Sequence, residues 1–325
     1  MDSRAQQVGR LSGSRVLCVG DVMLDEFVYG DVTRISPEAP IPVLHTRRRE
    51  SMLGGAGNAV RNLVALGAEV QFLSVVGDDQ AAEQVETLCG KLDGLRLTLV
   101  RDPARTTSTK TRFIAHGQQL LRADAETTTS VNDGIFAELR AAFEGAVREA
   151  RAVLFCDYGK GVLDGSRASE LIRPVREVGC PVIVDPKGFH FGRYRGATLI
   201  KPNLKELATA TAMPVDTERQ QVEASRSLLE QTAAQYVLIT RGPDGMLLVE
   251  PDIEPRSFSS LAREVYDVTG AGDTVAAVLA AALAADISIN TAVEIANAAA
   301  GVVVGKLGTA VATPCEIVRQ LDQTQ

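Results

Sequence analysis

Tryptophan is absent from this 325-residue chain, and all aromatics together make up 4% of it. Its core must therefore be assembled from Val, Leu, Ile and Ala, which suit close packing of helices on a sheet. The three histidines, His45, His116 and His190, have no metal-ligand spacing, so none is assigned a catalytic role. Five cysteines stand far apart, without the pairing of a zinc site or disulfide frame, and are expected to be reduced, mostly buried thiols. No apolar run reaches the roughly 20 residues of a membrane span, and the opening MDSRAQQVGRLSGS is polar, so a cytoplasmic location is expected. A formal charge of -7 lacks the positive field that nucleic acids or membrane surfaces would need.

Common phosphate-handling motifs are missing too. Gly90-Lys91 and Gly305-Lys306 lack the Ser or Thr that completes a G-x-x-x-x-G-K-[ST] loop, and there is neither an H-R-D loop nor a G-x-S-x-G elbow.

What is present is 45% hydrophobic and 23% charged, a globular balance. Short β-branched runs at 15–19, 70–75, 152–156, 182–185 and 236–240 read as buried parallel strands. Helical patterns lie between them at 56–66, 81–92, 133–150, 166–178 and 219–232. This alternation predicts an α/β fold with a doubly wound, mostly parallel sheet. Residues 28–50, with three prolines, and 106–124, which alternate around His116-Gly117, read as a small separate β-sheet, a lid over the carboxyl ends of the main strands. Without internal repeat or linker, 1–325 reads as a single domain.

The most informative segment is Asp267-Val268-Thr269-Gly270-Ala271-Gly272-Asp273, ahead of an Ala-rich run. Gly270, Ala271 and Gly272 leave helix-start amides open to a phosphate, and Asp273 in the first turn can accept a proton from an attacking hydroxyl. A plain N-terminal cap accounts for the same residues. Gly54-Gly55-Ala56-Gly57-Asn58 opens another helix, where the glycines allow close approach and Asn58 could bond a sugar hydroxyl. In Lys201-Pro202-Asn203-Leu204-Lys205-Glu206, Asn203 and Glu206 share a helix face and could address magnesium or phosphate, or simply form a capping box. Thr240-Arg241-Gly242 after a strand offers a hydroxyl, a guanidinium and open backbone, or an ordinary turn. Asp21, Asp25 and Asp157 follow strand-like runs, where carboxylates can grip sugar hydroxyls.

In the order GG-x-G-N, N-x-x-E and D-x-T-G-A-G-D, the chain resembles the ribokinase-like carbohydrate kinases over essentially its whole length. The resemblance implies a three-layer sandwich of about nine core strands with a β lid, and phosphoryl transfer from MgATP to a sugar hydroxyl. It implies Asp273 as catalytic base with Gly270 to Gly272 as anion hole. Asn203 and Glu206 would serve nucleotide and magnesium, with nucleotide-side contacts from neighbouring Leu204 and Lys205, from Thr240, Arg241 and Gly242, and from Asn297 near the adenine. Asp267 and Thr269 would bind a monovalent cation, in that family usually potassium. The stretches GDVMLDEFVYGDVTRISPEAPIPVL, SMLGGAGNAVRNLVALGA, CDYGKGVL and PNLKE resemble the heptose 7-phosphate kinases of that family, which implies phosphorylation at the anomeric hydroxyl. A fructose phosphate, a keto-deoxy acid or a nucleoside is the alternative acceptor, and a noncatalytic sugar binder the alternative class. No nucleotidyltransferase domain is expected within these residues.

A sugar phosphate entering an acidic protein needs cations, for which Arg47, Arg48, Arg49, Arg105, Lys110, Arg112, Lys160 and Lys187 are candidates. Lys110 and Arg112 alternate on one face of a lid strand. Asp25 and Asn58 are the preferred sugar ligands. A homodimer through exposed lid edges is expected.

Overall fold

The apolar runs become the middle of one sheet. The computed structural model describes residues 4–262 and 264–323. Its strands are β1 (Arg15–Gly20), β2 (Val22–Ile35), β3 (Pro42–Gly55), β4 (Glu69–Val76), β5 (Leu95–Arg101), β6 (Thr109–Ala115), β7 (Gln118–Ala125), β8 (Ala152–Cys156), β9 (Val182–Asp185), β10 (Leu199–Ile200), β11 (Tyr236–Thr240), β12 (Met246–Val249) and β13 (Arg256–Phe258). Nine form the main sheet in the order β13-β12-β11-β10-β9-β8-β1-β4-β5. It is parallel from β5 to β11, and the last two strands are antiparallel.

Alternate residues of the central strands feed two cores. Val16 and Cys18 of β1 face a layer with the helices Ala56–Ala65, Ala271–Ala284 and Ile289–Val304; Leu17 and Val19 face one with Asp133–Ala146, Arg167–Glu177 and Glu218–Thr232. Each fully buried Leu or Val stabilises by roughly 1.5–3 kcal/mol, so a strand buried on both faces anchors the fold. Thr274 to Ala282 of the Ala-rich helix are all buried, and small side chains let that helix lie across β1, β8 and β9. All five cysteines are free thiols, with Cys18, Cys89 and Cys156 buried and Cys315 exposed.

The second sheet, β3-β2-β6-β7, gathers the two segments expected to form the lid. It extends beyond the expected 28–50 and 106–124, reaching back to Val22 and on to Gly55 and Ala125. Val22, Met23 and Leu24 are buried and no proline or glycine interrupts β2 before Gly30, so the strand runs out of the core unbroken as far as Tyr29. Asp25 is therefore inside a strand, correcting its expected place after one. His116 and Gly117, both in the left-handed region, close the β6–β7 hairpin in two residues.

Candidate active site

Asp273 sits in the first turn of the helix Ala271–Ala284, at the carboxyl ends of the central strands. Gly270 precedes that helix at φ +80°, and a Cβ there would stand 2.5 Å from Asn58 Nδ2. Only glycine fits both the angle and the approach. The first-turn amides have no partner within the helix, and Ala271, Gly272 and Asp273 line a cavity of about 490 Å³, the size of a nucleotide-scale ligand pocket.

Two donors grip the Asp273 carboxylate. Asn58 Nδ2 donates to Oδ2 at 2.7 Å, and the Tyr158 hydroxyl donates to Oδ1. Burial raises the Asp273 pKa above the usual carboxylate range, while the bonds from Tyr158 and Asn58 and the charge of Lys201 oppose that rise. Asn58 is fully buried and its amide nitrogen is directed at Asp273.

The cavity extends from Asp273 past Asp185, Lys201, Asn203, Thr240 and Asn297. Lys201 Nζ meets Asp185 Oδ1 at 2.9 Å, and it lies 3.5 Å from where a Cβ on Gly272 would be. Burial pushes Asp185 up to about 7 against the pull of Lys201. Asn203 and Glu206 form the capping box: Asn203 Oδ1 accepts from Glu206 N at 2.9 Å and Glu206 Oε2 accepts from Asn203 N at 3.0 Å. Glu206 Oε1 remains directed to Lys187 Nζ at 3.0 Å, so the carboxylate still faces the cavity. Leu204 packs on the core and Lys205 is exposed outside the cavity lining. Thr240 and Gly242 line it, whereas Arg241 is outside the lining and turns to Glu218 Oε2 at 2.8 Å and Ser257 Oγ at 2.6 Å, so its guanidinium braces β13. Asn297 Nδ2 is fixed on Ser259 O at 2.7 Å.

On the other side of Asp273 stands the lid root. Arg112 Nη1 pairs with Asp25 Oδ1 at 2.6 Å, and Gly54 has no room for a side chain because a Cβ would lie 2.1 Å from Asp25 Oδ2. Gly55 ends the same strand, paired with Val22. Lys110 lies opposite Asp25 in the β2–β6 register and meets Asp124 at 3.1 Å, while Lys160 meets Glu126 at 2.7 Å. Asp21 and Asp157 already have protein partners. The buried Asp21 carboxylate accepts from the amides of Tyr158, Lys160 and Val162, and Asp157 holds Arg193 and the Tyr194 hydroxyl, both at 2.7 Å. Asp267 accepts from Thr269 N at 2.9 Å and Gly308 N at 3.1 Å; although part-burial works the other way, these bonds hold its pKa below the usual range.

Tyr158, Asp185 and Lys201 escaped the sequence reading. Asp185 and Lys201 each occupy the carboxyl end of a core strand or the residue beyond it, the place where open α/β sheets bind ligands, and that was the available signal.

The profile described as pfkB family carbohydrate kinase matches residues 14–315. The chain belongs to the pfkB family of carbohydrate kinases. That family assignment makes it a carbohydrate kinase. It is 51% identical over 318 residues to "Bifunctional protein HldE" of Paramagnetospirillum magneticum, covering 98% of this chain and 65% of that protein. With the protein of the same name from Rhodospirillum rubrum it shares 48% over 321 residues, 99% of this chain and 65% of that one. The chain thus spans 65% of the length of these relatives. Among solved structures, Arabidopsis thaliana ribokinase complexed with ribose and ATP superposes with a TM-score of 0.71 at 22% identity, over 95% of this chain and 99% of that one. Escherichia coli phosphofructokinase-2 in complex with potassium gives 0.79 at 20%, over 96% and 100%. At those identities the likeness establishes the shared fold.

Proposed function

We propose that this kinase transfers the γ-phosphoryl group of MgATP to the anomeric hydroxyl of D-glycero-D-manno-heptose 7-phosphate, giving the 1,7-bisphosphate that feeds lipopolysaccharide core synthesis. The observation that carries this reading is the place of Asp273, which borders the Asp185–Asn297 cavity on one side and is held by Asn58, beside the cation-bearing lid root, on the other. ATP fits the cavity and a sugar phosphate fits the lid side. Asp273 takes the proton of the acceptor hydroxyl as that oxygen attacks the γ-phosphorus, and the ADP oxygen leaves on the far side. The Gly270 to Gly272 backbone and Lys201 carry the negative charge that builds on the transferred group.

Magnesium arrives with ATP. Both Glu206 oxygens already have donors, from Asn203 N and Lys187 Nζ, and among the described residues no group of three or more His, Cys, Asp and Glu side chains is gathered for a metal, so a water-bridged contact from Asn203 and Glu206 fits best. An ionised Asp267 beside Thr269 suits potassium, which would brace the helix entrance. The heptose assignment is supported by the relatives named HldE and by the amino-terminal stretches that resemble heptose 7-phosphate kinases.

A homodimer joined through the lids is the assembly we favour, because β7 is an edge strand exposed along its length and carries exposed Leu120 and Leu121. A cytoplasmic setting follows from the ATP requirement, and no helix among the described residues is long and apolar enough to cross a membrane. The test is product identification from ATP and a panel of sugar 7- and 6-phosphates. A 1,7-bisphosphate made in preference to all others is expected; turnover of a fructose phosphate alone would overturn the heptose assignment.

A further inference from the structure

General-base catalysis needs the carboxylate of Asp273 ionised and aimed before the acceptor hydroxyl arrives. One of its two donors, Tyr158, belongs to the irregular segment 157–162 that follows β8, which by itself would hold no side chain firmly. Three amides of that segment converge on a single carboxylate at the end of β1: Tyr158 N, Lys160 N and Val162 N reach Asp21 at 2.8, 3.0 and 3.2 Å. Asp21 is 1% exposed, so water cannot compete for those amides. Gly161 is pressed against the chain from the other side, where a Cβ would stand 2.2 Å from Thr129 O. The segment is therefore fixed at both surfaces, and the Tyr158 hydroxyl is fixed with it.

We infer that Tyr158 is a positioning residue for Asp273, and that Asp21, by gathering the three amides, is what sets Tyr158 in place. This rests on the reading of Asp273 as the base. The titratable and charged groups around Asp273 are Tyr158, Lys201, Asp25, Asp185 and Cys156. Burial raises the Asp273 pKa, and the Tyr158 hydrogen bond is the first of the effects that resist it. With that hydroxyl gone, Asn58 and Lys201 alone oppose burial, and a larger share of the base is protonated at a given pH. A segment that merely stabilised the fold would not move this titration.

The experiment is the pH dependence of kcat for Tyr158→Phe, from ADP release with ATP and the sugar phosphate that the wild type turns over best. We expect kcat to fall about 10- to 100-fold near pH 7, both KM values to stay within about threefold, and the midpoint of the acid limb to rise by about one pH unit. Asp21→Asn should shift the limb in the same direction, and the double variant should lose less than the two single losses multiplied. An unmoved acid limb, or a loss confined to KM or melting temperature, would overturn the inference. Asp273→Asn measured alongside separates the two failures: near-normal turnover there removes the base assignment itself, whereas a dead Asp273→Asn with an unshifted Tyr158→Phe profile removes only the role of Tyr158.

Discussion

Asn58 Nδ2 and Asp273 Oδ2 are 2.7 Å apart, although 215 residues separate them in the chain. One belongs to the helix that follows the lid strand β3 and the other to the helix entrance at the far end of the sequence. Their bond ties the two glycine-rich segments into one site.

Gly270→Ala should break that tie. The new methyl would lie 2.5 Å from Asn58 Nδ2 on a backbone at φ +80°, so we expect a loss of about 1–3 kcal/mol in urea unfolding and a fall in kcat together. Wild-type stability in this variant would show that the entrance is not constrained as described.

Lys201 is buried and its partner Asp185 is half-buried, so removing Lys201 leaves Asp185 without its counter-charge and favours its protonated form. Lys201→Met should cost about 1–3 kcal/mol and raise the KM for ATP. Asp185→Asn with Lys201→Met together should recover much of the stability without recovering activity; urea melts and kinetics of the three variants decide it.

Glu126 supplies a different test. Its carboxylate meets Lys160 at 2.7 Å and Lys110 at 3.6 Å, so it occupies the cations that a sugar phosphate would use. Glu126→Gln should lower the KM for the sugar phosphate about two- to tenfold with kcat held, an effect absent for the unphosphorylated sugar. A raised KM would place the phosphate elsewhere.

Asp21 sets a pH dependence of stability. Burial first, then the charge of Asp157, raises its pKa from 3.8 to about 6. Between those values the folded chain holds a proton that the unfolded chain has lost, so the stability Asp21 contributes is full below 3.8 and falls as pH rises to about 6. Asp21→Asn removes this slope. The difference in unfolding free energy, wild type minus variant, should shrink by on the order of 3 kcal/mol from pH 4 to pH 7. A constant difference would contradict it.

Much of this was legible in the sequence because the signals are local. The runs at 152–156, 182–185 and 236–240 are the strands β8, β9 and β11, bounded as the apolar pattern bounds them. Asp273 was readable because small residues before a first-turn acid have a backbone meaning. Tyr158 was not, since its importance lies in a bond to a residue 115 positions away. A carboxylate at a strand end accepts hydrogen bonds, which made Asp21 a ligand candidate, and only the fold shows three backbone amides gathered on it. The lid boundary was misplaced where proline marks the hairpin tip instead of the strand root.

The base assignment at Asp273 has the most direct test, steady-state kinetics of Asp273→Asn. The amide keeps the shape but cannot take the proton, so kcat should fall about 100- to 10,000-fold while the KM values for ATP and sugar phosphate stay within about threefold. Turnover within tenfold of wild type, at unchanged KM, would contradict the account.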